Sequence, residues 1–175
     1  MQNASTTYVS PPQLMPTWAL HLFTFALILQ TGHTLEHVIQ LYQHAVLGID
    51  ILHAHGLLFA FDIEWFHFLF NTAYLAVLVA LFLSMGLHKK SVRATIPRSF
   101  VVLAIIALVF ETWHDSEHVV RIYQHIESGC QPCSGILGSY VDLLYLHTFY
   151  NFTITVISYY TYFSWGFFRR FIEIL

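Results

Sequence analysis

Residues 33–44 read HTLEHVIQLYQH, and 81 positions further on residues 114–125 read HDSEHVVRIYQH. Seven of the twelve positions agree: His33/His114, Glu36/Glu117, His37/His118, Val38/Val119, Tyr42/Tyr123, Gln43/Gln124 and His44/His125. The agreement runs on into the next segment. There DIEWFHFLFN (62–71) lies over DLLYLHTFYN (142–151) after a one-residue gap, with Asp62/Asp142, His67/His147 and Asn71/Asn151 in register. A chain written twice folds as two copies of one supersecondary unit, each completing the other's core. That requirement narrows the available architectures more than any single motif does.

The unit is a helical hairpin of membrane-spanning length. Apolar runs cover about 18–41, 57–86, 100–120 and 136–163, and each reaches the roughly 20 residues a helix needs to cross ~30 Å of hydrocarbon. Charged residues make up only 10% of the chain against 57% hydrophobic ones, well below the charged share of about a quarter in soluble domains. The expected fold is an all-α integral membrane protein, a four-transmembrane-helix bundle built from a tandem-duplicated helical hairpin. Two spans per unit insert both copies in the same direction, which places a pseudo-twofold axis along the membrane normal.

The corresponding segments are a polar N-terminal tail (1–17), hairpin repeat 1 (18–86), a basic loop (87–99), hairpin repeat 2 (100–165) and a C-terminal tail (166–175). The first apolar run has neither the basic leader nor the small-residue cleavage site of a signal peptide, so it is read as a retained helix.

The basic residues set the expected orientation. Lys89, Lys90, Arg93 and Arg98 fall between the second and third runs, and Arg169 and Arg170 follow the fourth. By the positive-inside rule both termini face the cytoplasm. The loop ESGCQPCSG then lies on the outer side, where Cys130 and Cys133 are expected as a local disulfide.

Helical geometry turns the repeated string into a surface. At about 100° per residue, His33, Glu36, His37, Gln40 and His44 fall within roughly 100° of arc, and the third run repeats the stripe with Arg121 in place of Gln40. Counting about 20 residues from the basic anchors brings His37, His118, His67 and His147 to one depth, the outer edge of the membrane. Buried there without partners, such groups cost several kcal/mol. Neutral imidazole and carboxylate suit a metal ion.

The expected ligands are His33, Glu36, His37 and His67 from one repeat, with His114, Glu117, His118 and His147 from the other. The ion is Fe, Cu, Zn or Mn, one or two per pseudo-axis, with redox or oxygen chemistry if the centre is catalytic. Supporting positions are His44, His125, Asn71, Asn151, Asp62, Asp142, Glu111, Tyr42, Tyr123, Gln43 and Gln124. Glu111 and His114 form a Glu-x-x-His pair whose first-repeat counterpart is Gln30 and His33. Arg121 is expected to pair with Glu117, four residues earlier.

Other classes compete. Facing histidines can ligate haem b in an electron-transfer subunit, although that leaves the glutamates unexplained. An accessory cofactor- or pigment-binding subunit of a larger membrane complex, or a homo-oligomer, fits the 10 tyrosines and 16 phenylalanines that can cover a ligand or neighbouring helices. Transport lacks a polar relay through the inner halves of the runs, such as AVLVALFLSMG. His-x-x-Glu-His matches the inverzincin protease string, but two symmetrical copies on apolar helices offer no substrate cleft. The expected partners are the lipid bilayer and other membrane subunits, not nucleic acid. No nucleotide motif or phosphate loop occurs.

Overall fold

The computed structural model describes residues 9–50, 53–57 and 63–175. These residues form seven helices and no strand: α1 (Pro11–Leu14), α2 (Thr17–Ala45), α3 (Ile63–Ser84), α4 (Lys90–Arg93), α5 (Arg98–Ser128), α6 (Leu143–Ser164) and α7 (Phe167–Ile174). Prolines punctuate the starts of the longest elements, with Pro16 capping α2 and Pro97 capping α5. Both lack an N–H that the first turn would leave unbonded. α5 stops at Gly129, whose left-handed φ of 70° a side chain would disfavour.

The four long helices close into a ring. α2 packs on α3 and α5 on α6 within the two hairpins, and the closest packing runs between them, α3 against α5 and α2 against α6. Hydrogen bonds stitch the α2/α6 seam at Thr24–Tyr162, Thr31–Tyr159 and Thr34–Thr155, each with an O···O distance of 2.7 Å. Thr72 Oγ1 donates to Asp115 Oδ1 at 2.9 Å across α3/α5.

Among the described residues, two helices are long and apolar enough to cross a membrane, Glu64–Ser84 and Arg98–Ser128. α2 and α6 fall short of that apolarity, because α2 carries Gln30, His33, Thr34, Glu36, His37 and Gln40 among its buried residues and α6 carries His147, Asn151 and Ser158. The polar side chains point inward. Phe25, Ile28, Leu29, Leu69, Val109, Phe149, Phe152 and Val156 point outward and are exposed. Apolar outside and polar inside inverts the arrangement that water selects.

One end of the ring is an apolar plug. Met15, Leu20, Phe23, Met85, Leu87, Ile96, Phe100 and Phe167 form its core. Residues 9–15, within the expected polar N-terminal tail, pack there. Val9 N donates to Thr95 O, Pro11 and Pro12 are buried, and Arg170 of α7 donates to Met15 O. The expected C-terminal tail is helical from Phe167 because that ring is wholly buried in the same cluster.

Candidate metal centre

At the opposite end from the plug, each hairpin assembles its own histidine triad. α2 supplies His33 and His37 and α3 supplies His67, while α5 supplies His114 and His118 and α6 supplies His147. Within each triad the candidate ligand atoms all lie within 4.8 Å of one another, and every residue is buried. The two triads are built alike. His33 Nε2 and His37 Nε2 are 3.1 Å apart, and His114 Nε2 and His118 Nε2 are 3.2 Å apart. An i to i+4 spacing on one helix puts the two rings one above the other, and the neighbouring helix adds the third. By residue type and spacing alone, either triad could hold a metal ion.

The triads also meet. His67 lies near-parallel to His118 with ring centroids 5.8 Å apart, and His37 stacks on His147 at 6.1 Å with the planes tilted by 29°. Exchange of repeats converts one contact into the other, as a pseudo-twofold arrangement requires. Aromatic rings at equivalent positions close the inner side: Phe70 meets His33 edge-on at 4.3 Å, and Tyr150 meets His114 at 4.9 Å.

The glutamates do other work. Glu36 and Glu117, expected among the ligands, stand outside both triads. Glu36 accepts from Leu57 N at 2.9 Å, and Glu117 accepts from Ile136 N at 2.7 Å and Leu137 N at 3.0 Å. Next to them, Gln43 and Gln124 accept from the backbone N–H of Gly56 and Gly135 and donate to the carbonyls of the same glycines. Each interhelical loop is thus strapped onto its own hairpin. The glycines are required, since φ is +65° and +69° and a Cβ would overlap Glu36 Oε1 at Gly56 or sit 2.5 Å from Glu117 Oε2 at Gly135.

Several supporting positions also differ from expectation. Tyr42 and Tyr123 are 53% and 63% exposed and face away from the triads. His44 and His125 bond Ile49 O and Cys130 O just past the ends of their helices, where the last carbonyls need donors. Asp142 is exposed and caps α6, accepting from Leu144 N and Tyr145 N. Asp62 lies outside the described residues.

Asn71 and Asn151 donate to the backbone carbonyls of His67 and His147 at 2.8 and 3.0 Å, one turn before them. Glu111 Oε2 lies 3.5 Å from His114 Nδ1, both fully buried. Cys130 and Cys133 are joined by a disulfide.

Three residues enter that sequence reasoning missed or misplaced. Gln30 donates to Asn151 Oδ1 at 3.0 Å, tying the stripe of one repeat to the other. Arg121 forms no pair with Glu117; its guanidinium instead reaches Glu64 Oε1 at 2.7 Å and His147 Nε2 at 3.1 Å. Glu64, 1% exposed, also accepts from Cys133 N at 2.9 Å. A signal was available: Glu64 aligns with Leu144 and Arg121 with Gln40, two charges of opposite sign that the repeat fails to copy. Unrepeated charges that must be buried find each other.

Comparisons with protein-family models, curated proteins and solved structures return no match for this chain.

Proposed function

We propose that the chain is a four-span integral membrane protein that holds a transition-metal ion in a histidine triad near the outer face of the bilayer. The observation that carries this reading is the pair of buried triads, each with ligand atoms inside 4.8 Å. Three imidazoles gathered this closely in an apolar surround suit an ion that accepts a lone pair from each. His33 Nδ1 and His118 Nδ1 are buried without a hydrogen-bond partner, polar capacity that the protein alone does not satisfy.

Membrane placement is supported by the outward apolar side chains and by the gathering of Lys89, Lys90, Arg93, Arg169 and Arg170 at the plug end, which the positive-inside rule assigns to the cytoplasm. The amphipathic α7, with Arg169 and Arg170 beside Phe168 and Ile172, suits the headgroup boundary. Under that orientation the triads and the Cys130–Cys133 loop face outward.

Three nitrogen donors leave coordination positions open, the pattern of reactive rather than closed structural sites. Imidazole donors favour Cu, Zn or Fe over oxygen-loving ions, and we favour redox or oxygen chemistry at the open positions. A haem is disfavoured because six imidazoles fill the space between the helices. His118 alone has ring neighbours at 5.0, 4.9 and 5.8 Å, so a porphyrin would have to displace them.

Elemental analysis of chain purified in detergent without a polyhistidine tag tests the reading. Bound Cu, Fe or Zn is expected, lost when His37 and His118 are both changed to Ala and retained in His53→Ala. Equal metal content in both variants, or a Soret band in the visible spectrum, would refute it.

A further inference from the structure

The two triads share a geometry but not an electrostatic setting, and the difference sits on a ligand atom. His147 Nδ1 lies 2.8 Å from the carbonyl of Leu143. A carbonyl only accepts, so Nδ1 carries the proton and Nε2 carries the lone pair. Nε2 is then the one atom His147 can offer to an ion. Arg121 Nη1 already donates to it at 3.1 Å, and a guanidinium does not lose its proton in a protein.

The cation is fixed from behind. Arg121 Nη2 is 2.7 Å from Glu64 Oε1, the side chains are 8% and 0% exposed, and Glu64 is held in turn by Cys133 N. Breaking a buried pair of this kind by moving one member away is strongly destabilising. An incoming metal ion would need to displace the guanidinium from Nε2 and then remain beside a second positive charge. Glu111, near His114, offsets that charge in part but does not free the lone pair. In the first triad the position of Arg121 is taken by Gln40, which is buried and hydrogen-bonds His37 but brings no charge.

Resting on the metal reading above, we propose that Arg121 is a built-in cation that closes the second triad. The ion then binds only at His33, His37 and His67, and the chain takes one ion rather than two. The repeated half has become a guanidinium site that completes the wall around a single metal position. Arg121 and Glu64 set the stoichiometry of the centre without touching the ion.

Co(II) titration of the metal-free chain in detergent micelles, followed by its visible ligand-field bands and by elemental analysis after desalting, tests this. The wild type is expected to take one Co(II), lost in His33→Ala and kept in His114→Ala. Changing Glu64→Gln and Arg121→Gln together removes both charges, keeps an acceptor for Cys133 N and is expected to raise the count from one to two. Two equivalents in the wild type, or one equivalent abolished by His114→Ala and not by His33→Ala, would overturn the inference and leave the metal reading standing. No Co(II) in either the wild type or the double variant would overturn the metal reading itself. If the double variant fails to fold, the wild-type count and the two histidine variants still decide between these outcomes.

Discussion

Gly135→Ala separates the two contributions that the loop strap combines. Its φ is +69°, and a Cβ would lie 2.5 Å from Glu117 Oε2. Gly129 has almost the same φ, +70°, with nothing within 4 Å of the added carbon. Both substitutions therefore incur the left-handed penalty of about 1–2 kcal/mol. Only Gly135→Ala also pushes a buried carboxylate off Ile136 N at 2.7 Å and Leu137 N at 3.0 Å. Hydrogen bonds to a charged acceptor contribute about 1.5–3 kcal/mol each, so losing two gives an excess of about 3–6 kcal/mol for Gly135→Ala over Gly129→Ala.

The assay is unfolding in mixed micelles of increasing dodecyl sulfate content, followed by far-ultraviolet ellipticity. The same comparison on the other repeat sets Gly56→Ala against Gly48→Ala, whose φ values are +65° and +68° and of which only the first meets a carboxylate. An excess below about 1 kcal/mol, the ordinary effect of a point change, would show that the glutamates retreat with their hydrogen bonds intact. The close approach of glycine to carboxylate would then not be what holds the loops on either hairpin.

Asp142→Ala removes the side-chain acceptor for Leu144 N and Tyr145 N and is expected to lower stability by about 0.5–2 kcal/mol, with Asp142→Ser recovering most of it. The same unfolding titration reads both, and no change in Asp142→Ala would remove the cap from the account. Thr72→Val deletes the donor to Asp115 at 2.9 Å, leaving a carboxylate oxygen without its partner at the α3/α5 contact. A loss of about 1–3 kcal/mol is expected, and Thr72→Ser should behave as wild type. Equal loss in the two variants would mean that packing, not the hydroxyl, matters there.

Repetition was legible because it needs no coordinates. Seven agreements in twelve positions identify a unit used twice, and the 3.6-residue period places His33 with His37, and His114 with His118, on one face whatever the helices pack against. The internal comparison also separated those histidines from His53, which the structure leaves 75% exposed at the side chain in a loop. What it could not yield was the fate of the carboxylates. Glu36 shares a stripe with His37, and helical geometry alone gives both the same opportunity to reach an ion.

The chain order by itself thus determined the duplicated helical unit, the inward histidine face and the proline and glycine punctuation, since each depends on bonds and dihedrals within a few residues. Only the folded molecule decided which atom each polar group meets. Left-handed glycines bring the loop amides under Glu36 and Glu117, and the α3/α5 contact brings Glu64 to Arg121, 57 positions apart. A long side chain in a dry interior goes wherever a partner lies within about 3 Å, and that is set by tertiary approach rather than by local periodicity.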